Sequence, residues 1–488
     1  MSTRPQGIHS VEKIGGTSMT RPDAVLANVL LPPGLETPYQ RIFVVSAYAG
    51  VTNLLLEDRR SGAPGAFALF ATRPHAEDWR QALDRATERM RELNKVVFGD
   101  ATECMAADSF VTGRIDVARR SLTSLLELTR CGHFRLHDSL LTAREMLSSL
   151  GEAHSAFNTA LLVRGAGVNG TFIDLTGWDQ KDDPTLDDRI RKCFAEIDLA
   201  SELPIVTGYT RARGGLLRRY ARGYSEVTLS RVAVLTRARE AVIHKEYHLS
   251  SADPRLVGAE NVRTVGRTNY DVADQLANLG MEAIHPKAAA GLRRADIPLK
   301  VRNTFEPDNP GTLICSEYAA AEPGVEIVTG RDDVLAIEVF AQDMVDAAGW
   351  DARIVRELDE HGLAFVGKDG NANTITHYVV GDRAVIDTVA EHLGGTIPNS
   401  TVQVHPVAIV SAIGSNLGTS EFLLAGLASL EKASVRLLAI QQAIRQVELR
   451  FIVRQADYAT AVRALHARLV QELSKPEPRQ VLRSRAAA

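Results

Sequence analysis

The first strand-like segment of the chain ends in a lysine, two glycines and two hydroxyl residues, in the order Val11-Glu12-Lys13-Ile14-Gly15-Gly16-Thr17-Ser18. Because glycine has no Cβ, an anionic group can approach its backbone closely and meet its N–H group. Lys13 adds a compact positive charge, and the two hydroxyl residues can cap a helix over Met19–Leu30. The spacing of a Walker A loop is absent. The segment therefore predicts either an anion-binding turn of another kind or an ordinary strand-to-helix turn.

Short apolar strands alternate with helices over the first 316 residues. Arg41–Ala47 is β-branched and too short for a helix, and it leads into the small-residue loop Tyr48–Asn53. Alternation of this kind predicts an α/β fold with a mainly parallel sheet sandwiched by helices. Ligands of such sheets bind beyond the carboxyl ends of the strands. Residues 59–74, rich in Gly, Pro and Ala, are expected to form a loop.

Three polar residues stand out on the predicted helices. Glu145 lies in an otherwise apolar stretch of a helix predicted over His137–His154, either as a functional residue or as a surface glutamate. Ser225 and Glu226 directly precede a helix predicted over Val227–Arg237. Capping and first-turn positions favour Ser and Glu, so helix capping alone could explain both residues.

The pattern changes after a Pro/Gly linker at Glu322–Gly324. The order strand-helix-strand-strand-helix-strand then occurs twice, which predicts a doubled ferredoxin-like unit. We expect a catalytic domain over residues 1–316, repeats over 325–404 and 405–474, and a disordered tail over 475–488.

Composition excludes several classes of function. A net charge of -4 over 488 residues argues against nucleic-acid binding, which needs a concentrated basic face. The four cysteines form neither a CxxC pair nor a Cys/His cluster, so reduced thiols are expected rather than zinc or disulfides. No apolar run approaches the ~20 residues that cross a bilayer, and no signal pattern is present. A cytoplasmic protein without nucleic-acid or membrane partners is expected.

Several stretches together resemble the aspartate kinases, which have the amino-acid-kinase fold. They are Lys13–Ser18, Val45–Ala47 with Gly50–Asn53, Val206–Tyr209 and, as the most specific match, Val301–Thr312. The doubled C-terminal unit is similar to the paired ACT domains of that family. The resemblance covers nearly the whole chain and is greatest to the branch that feeds ectoine synthesis.

The resemblance implies ATP-dependent phosphorylation of the side-chain carboxylate of L-aspartate, which gives 4-phospho-L-aspartate. It also implies Mg²⁺ as cofactor and a homodimer or higher homo-oligomer formed through the ACT domains. A substrate carboxylate is already ionised at pH 7. The chemistry therefore needs positioning and positive charge more than a general base.

The resemblance assigns Lys13 and Arg222 as catalytic residues and assigns no metal ligand in the protein. The residues expected to bind aspartate are Ser46, Thr52, Glu145, Arg222 and Ser225. The residues expected to bind ATP are Lys13, Gly15, Gly16, Thr17, Ser18, Ser251, Asp253 and Arg255. Within this assignment Arg222 would hold the α-carboxylate of the substrate through its planar guanidinium, and Glu145 would face the amino group.

The chain departs from the family pattern in three places. The family stretch GRGGSD is replaced by Ala221–Glu226, WTDVDG by Ile243–His248, and a lysine before the His-Pro pair by Glu282. Two other functions therefore remain as alternatives. One is a kinase of another acidic amino acid, such as glutamate or N-acetylglutamate, and the other is a catalytically weak amino-acid-binding regulator.

Overall fold

The structure, a computed structural model, describes residues 7–58, 61–178, 181–220, 223–281, 283–345, 348–397, 399–418 and 420–474. The chain forms two compact units. The first contains Met1–His248 and Ile284–Ser316, and the second contains Leu249–Ala283 and Glu317–Ala488.

The strands are β1 (Ser10–Ile14), β2 (Arg41–Val45), β3 (Gly170–Ile173), β4 (Leu203–Thr207), β5 (Glu240–Lys245), β6 (Arg267–Asn269), β7 (Leu299–Asn303), β8 (Thr312–Cys315), β9 (Ile327–Ala341), β10 (Ala364–Gly370), β11 (Thr374–Val380), β12 (Ser400–Ile413), β13 (Leu437–Gln442) and β14 (Glu448–Arg454). The α-helices are α1 (Gly16–Met19), α2 (Pro22–Val25), α3 (Val51–Leu55), α4 (Ala66–Thr72), α5 (Asp78–Val97), α6 (Ala101–Thr129), α7 (Leu136–Gly165), α8 (Leu186–Phe194), α9 (Leu216–Arg219), α10 (Tyr224–Thr236), α11 (Pro254–Val257), α12 (Tyr270–Asn278), α13 (Pro286–Arg294), α14 (Trp350–Glu360), α15 (Arg383–Thr396), α16 (Glu421–Lys432) and α17 (Tyr458–Leu465). Segments of π-helix follow α2 (Leu26–Leu30) and α17 (His466–Leu473), and short 3₁₀ turns lie at Ala259–Asn261, Gln342–Met344 and Gln455–Asp457.

The first unit is built on a mainly parallel sheet, as predicted. Its strands lie in the order β3-β4-β2-β1-β5-β7-β8, and all neighbouring pairs are parallel except β7 with β8. Residues Ile42–Val45 of β2 are completely buried, because helices cover both faces of a central parallel strand. The α/β prediction for this unit is confirmed.

The expected loop over residues 59–74 is wrong for Ala66–Thr72, which form α4. The ring of Phe70 is fully buried there and meets the ring of Trp79 edge-on, with 5.3 Å between the centroids. The Gly and Pro residues that suggested a loop lie on either side of this helix, while its own apolar residues pack into the core. Residues 59–60 lie outside the described residues.

The helix expected over Met19–Leu30 is broken into α1, α2 and a π-helical segment. Arg21 separates α1 from α2 with φ -118° and ψ 71°. The cause is Pro22, since a proline disfavours the helical conformation in the residue before it.

The second unit contains a six-stranded sheet in the order β10-β11-β9-β12-β14-β13. Its neighbouring strands are antiparallel, and helices α14–α17 follow the predicted order of the two ferredoxin-like repeats. One apolar core includes Ile337 and Val339 of β9, whereas a second includes Val328 of the same strand.

The two repeats share their long strands. The predicted boundary between residues 404 and 405 falls inside β12, which forms one strand with a bulge between Val407 and Ile409. The first part of β9 pairs with the last part of β12, from Ile327 opposite Ile413 to Arg331 opposite Ile409. In the described part of the chain no strand follows α17, so residues at the start of the first repeat supply the outer strand of the second.

Among the described helices, none combines the length and the apolar character that a membrane crossing requires.

Candidate active site

Lys13 lies on β1, in the middle of the parallel sheet and one residue before the strand ends. β1 pairs with β2 on one side and β5 on the other, so that Lys13 is opposite Val44 and Ile243. Because the carboxyl ends of parallel strands share one edge of a sheet, the segments after β1, β2 and β4 meet there. Lys13 is therefore placed at the edge where a ligand is expected.

The two glycines after β1 have different spatial constraints. A Cβ at residue 16 would lie 2.5 Å from the carbonyl oxygen of Ala47, in the loop after β2. At residue 15 the nearest atom would be the carbonyl oxygen of His244, at 3.3 Å. Gly16 is thus required by the close approach of two strand-end loops, whereas Gly15 has nearly enough room for a methyl group.

Lys13 forms a buried ion pair with Glu226 of α10. Its Nζ lies 3.2 Å from Oε1 of Glu226. The other oxygen, Oε2, accepts the N–H of His285 at 2.5 Å. Burial alone would raise the pKa of Glu226, but the charges of Lys13 and Lys245 and the His285 N–H lower it below its ordinary value. Glu226 is therefore ionised and holds the ammonium of Lys13 in place.

Glu152 of α7 presents a second carboxylate to the same region. The side chain is 2% exposed, and its Oε2 has no hydrogen-bond partner. Burial raises the pKa of Glu152 to about 8, although the charge of Lys13 and the backbone N–H groups of Tyr209 and Ala47 act in the opposite direction. An unpartnered buried carboxylate is costly, and a cationic ligand would remove that cost.

Ser46, Thr52, Glu152 and Ser225 line a cleft of about 570 Å³. The hydroxyl oxygens of Ser46 and Ser225 lie 3.2 Å apart. The remaining lining residues are Ala47, Asn53, Leu56, Glu57, Asp58, Arg144, Leu217, Gly223 and Tyr224. The structure thus brings together Ser46, Thr52 and Ser225, three of the five residues expected to bind the substrate.

Glu145 has a different environment from the one expected. It lies seven residues before Glu152 on α7, and its carboxylate is bonded within the chain. Oε1 accepts the N–H groups of Leu217 at 2.7 Å and Arg218 at 3.2 Å, and Oε2 accepts the hydroxyl of Tyr209. Glu145 is not among the residues that line the cleft.

The two hydroxyl residues after Gly16 differ in burial. Thr17 is exposed, whereas Ser18 is completely buried. The Ser18 hydroxyl accepts a hydrogen bond from the hydroxyl of Thr304 at 2.9 Å. Ser18 thus connects the loop after β1 to the stretch that carries the most specific family resemblance.

Three residues expected to bind ATP, Ser251, Asp253 and Arg255, belong to the second unit. The hydroxyl of Ser251 is completely buried, lies 3.0 Å from Nε2 of His466 and accepts the N–H of Arg263. Asp253 caps α11 through the N–H of Arg255 and also pairs with the Arg255 guanidinium. The nucleotide role of these three residues stays a prediction.

The capping interpretation is wrong for Ser225, whereas Glu226 does lie in the first turn of α10. Helix α10 begins at Tyr224, and its N-cap is Gly223 in a left-handed conformation with φ 70°, without a side-chain cap. Ser225 and Glu226 instead direct their side chains to Ser46 and Lys13. Because Gly223 is the N-cap, the side chain of Ser225 is available to line the cleft and that of Glu226 to pair with Lys13.

Two residues of interest, Arg222 and Glu282, lie outside the described residues, as does the tail over 475–488. Within the described ranges, no group of three His, Cys, Asp or Glu residues could hold a metal ion. Mg²⁺ usually binds through substrate phosphates with few protein ligands.

The sequence reasoning missed Glu152. One signal was available, since residues seven apart lie on the same face of a helix and Glu152 follows Gly151 in a run of small residues. A Cβ at Gly151 would lie 2.9 Å from the Cβ of Ala47, so α7 packs against the loop after β2 at this point. That close packing carries Glu152 to the strand ends.

Comparison with known proteins identifies the family. The amino acid kinase family matches residues 10–303. The chain is 49% identical over 465 residues to the aspartate kinase Ask_Ect of Stutzerimonas stutzeri strain A1501, covering 95% of this chain and 98% of that protein. The chain belongs to the aspartate kinase family.

Solved aspartate kinase structures share the fold. The crystal structure of Clostridium acetobutylicum aspartate kinase gives a TM-score of 0.70 at 17% identity, covering 94% of this chain and 100% of that one. The structure of E. coli aspartokinase III in complex with aspartate and ADP gives a TM-score of 0.65 at 18% identity. The match covers 94% of this chain and 99% of that one. The resemblance to aspartate kinases and the fold class predicted from the sequence are both confirmed.

Proposed function

We propose that this chain catalyses the ATP-dependent phosphorylation of the side-chain carboxylate of L-aspartate, giving 4-phospho-L-aspartate and ADP. The observation that carries the proposal is the cleft at the strand ends, which Glu152, Ser46 and Ser225 line, with the charge of Lys13 near enough to Glu152 to act on its pKa. Family membership supports the same activity.

The reaction needs positive charge more than acid–base chemistry. A carboxylate oxygen of aspartate attacks the γ-phosphorus, the bond to the bridging oxygen breaks and ADP leaves with its electron pair. Because an anion attacks a polyanion, catalysis depends on a cation aimed at the phosphoryl group. Lys13 is such a cation, and Glu226 fixes its direction.

We propose that Glu152, rather than Glu145, receives the amino group of aspartate. Oε2 of Glu152 is buried without a partner, whereas both oxygens of Glu145 already accept hydrogen bonds from the chain. An ammonium group beside Glu152 would favour its ionised form. Arg222 stays the residue expected to bind the α-carboxylate.

On the nucleotide side, Lys13 and the loop Gly15–Ser18 stay the expected contacts to the phosphates. Mg²⁺ would supply further positive charge on the phosphates when bound. Since the described residues offer no cluster of three metal ligands, the protein's part is to place Lys13 and the backbone N–H groups of the loop.

We also propose a cytoplasmic enzyme that assembles as a homodimer or larger homo-oligomer through its ACT repeats, in the pathway branch that feeds ectoine synthesis. The exposed apolar residues Leu438 and Ile440 alternate along the edge strand β13, as expected for a strand that meets another chain. Light scattering on the purified protein tests the assembly, and a monomeric mass would contradict it.

A hydroxamate assay tests the activity. Purified protein with ATP and Mg²⁺ should form acyl hydroxamate from L-aspartate and much less from L-glutamate or N-acetyl-L-glutamate. Lys13→Ala, prepared in parallel, controls for a contaminating kinase. Preference for glutamate would support the other acidic-amino-acid kinase, and no hydroxamate from any substrate would support the regulator.

A further inference from the structure

The carboxylate of Glu145 contacts α9, which lies in the loop between β4 and α10. Between β4 and α10 the structure describes residues 208–220 and 223, and the part Thr210–Tyr220 includes the four-residue helix α9. Leu217 of the loop, with Gly223 and Tyr224 that follow, lines the cleft. The position of this loop therefore determines the shape of one wall of the proposed substrate site.

The carboxylate of Glu145 accepts hydrogen bonds from three donors in or next to the loop. The N–H groups of Leu217 and Arg218 both donate to Oε1, at 2.7 Å and 3.2 Å. The hydroxyl of Tyr209, directly after β4, donates to Oε2. Hydrogen bonds to an ionised acceptor are stronger than those between neutral groups, so this carboxylate fixes both α9 and the start of the loop.

The loop is shaped to receive that carboxylate. Gly215, the residue before α9, has φ 73°, and a Cβ there would lie 2.6 Å from Oε1 of Glu145. Only a glycine meets both conditions, because the left-handed conformation and the space are both closed to larger residues. The close approach of the Glu145 carboxylate therefore depends on a glycine at position 215.

Tyr209 lies between Glu145 and Glu152, the residue proposed to bind the amino group of aspartate. Its hydroxyl donates to Glu145, while its backbone N–H is close enough to Glu152 to act against the rise in the pKa of that carboxyl. Its buried ring also meets the ring of Tyr224 edge-on, with 5.9 Å between the centroids. A displacement of Tyr209 would thus reach both Glu152 and the cleft wall.

We propose that Glu145 is a positioning residue that anchors the loop Thr210–Tyr220 through Leu217, Arg218 and Tyr209, and so sets the aspartate site without touching the substrate. The expected effect on the KM for aspartate rests on the proposed function. The anchoring itself does not, and it has an independent measurement.

Trypsin provides that measurement, because Arg218 and Arg219 are exposed cleavage sites on the anchored loop. Glu145→Ala should increase the rate of cleavage at these arginines about tenfold or more. Cleavage between Arg130 and Arg135, in the separate turn between α6 and α7, serves as an internal control and should not change. Glu88→Ala, which removes an exposed carboxylate on α5, should leave both rates unchanged.

Kinetics separate anchoring from direct contact with the substrate. Glu145→Ala should raise the KM for aspartate about tenfold, the size of one lost charge-assisted hydrogen bond, with a smaller change in kcat and in the KM for ATP. Glu145→Gln should stay within about threefold of wild type. Its amide oxygen can still accept the two N–H groups, and its NH₂ can donate to the oxygen of Tyr209. The KM of Tyr209→Phe for aspartate should lie between those of Glu145→Gln and Glu145→Ala.

Two results would overturn the proposal. One is an unchanged rate of cleavage at Arg218 and Arg219 in Glu145→Ala. The other is a Glu145→Gln variant as impaired for aspartate as Glu145→Ala, since this would mean that the negative charge itself faces the substrate. If the wild-type protein forms no hydroxamate from aspartate, the proposed function fails, and the cleavage rates still decide whether Glu145 anchors the loop.

Discussion

The ammonium of Lys13 lies 3.2 Å from the carboxylate of Glu226, across 213 residues of sequence, and both side chains are about nine-tenths buried. Removing one partner of such a pair leaves an uncompensated charge in a low-dielectric site. The pair therefore holds the ammonium of Lys13 in place before any phosphate arrives. Preorganisation of this kind is what a reaction between two anions requires.

Replacement of Lys13 by alanine should lower kcat at least ~100-fold, the scale for loss of one preorganised charge-stabilising group. The measurement is hydroxamate formation at saturating aspartate and ATP. Lys192→Ala, which removes an exposed lysine on α8, is the control and should behave as wild type. Near-normal turnover in Lys13→Ala would mean that the loop after β1 is structural.

The rate at low aspartate should depend on the ionisation of Glu152. Burial raises its pKa to about 8, so the empty cleft holds a neutral acid at pH 7 and the substrate ammonium needs the ionised form. We expect kcat/KM for aspartate to rise about tenfold per pH unit below that pKa and to level off above it. Glu152→Gln should lower kcat/KM and abolish this slope. A wild-type profile that is flat from pH 6 to 8 would contradict the assignment.

The same carboxyl should affect stability. Its folded-state pKa of about 8 exceeds the ordinary value of 4.5, so between these values the folded protein binds the proton that the unfolded chain has lost. The stability of the substrate-free protein therefore falls as pH rises through this window. Glu152→Gln should be increasingly more stable than wild type from pH 5 to pH 8, by up to about 4 kcal/mol. Thermal unfolding at both pH values measures this, and a constant difference would argue against a buried neutral acid.

The two glycines of the loop after β1 form a matched pair of substitutions. Gly16→Ala places a Cβ 2.5 Å from the Ala47 carbonyl oxygen, while Gly15→Ala meets its nearest atom at 3.3 Å. Overpacking of this kind costs about 1–3 kcal/mol, so Gly16→Ala should lower the free energy of unfolding by that amount. Gly15→Ala should lower it much less. Equal destabilisation in urea unfolding would show that space does not distinguish the two positions.

The shared strands of the second unit predict how fragments behave. A fragment of residues 405–474 lacks Ile327–Arg331, which pair with the end of β12, and the buried Val328 of the same core. It should therefore show no cooperative unfolding by circular dichroism, whereas residues 317–474 should retain the antiparallel sheet. A cooperatively folded 405–474 fragment would show that the second repeat is complete without β9.

Features set by local chemistry could be predicted from the sequence. The apolar run Ile42–Val45 indicated a buried strand, and Lys13 with its glycines indicated a strand-end turn, because each depends on neighbouring residues alone. The choice between Glu145 and Glu152 could not be made in this way. Both lie on one face of α7, and only the packing of Gly151 against Ala47 decides which carboxylate reaches the strand ends.

Long-range pairing explains the other errors. The sequence order of strands and helices correctly indicated two ferredoxin-like repeats, yet strand order along a chain does not say which strand a residue pairs with. Ile327 and Ile413 are opposite each other across 86 residues, and no local signal marks that contact. The local pattern offered a helix cap as a sufficient explanation of Ser225 for a similar reason, since its partner Ser46 lies far away in the sequence.

The pairing of Ile327–Arg331 with the end of β12 also limits how this region could be inherited. The outer strand of the second repeat is encoded at the start of the first repeat, so a genetic crossover between the repeats would separate the second from part of its own sheet. Neither repeat could be exchanged alone for that of another protein by a single join. The whole stretch from β9 to α17 would have to be transferred together. Whether a substitution in one repeat is tolerated would then depend on the sequence of the other repeat.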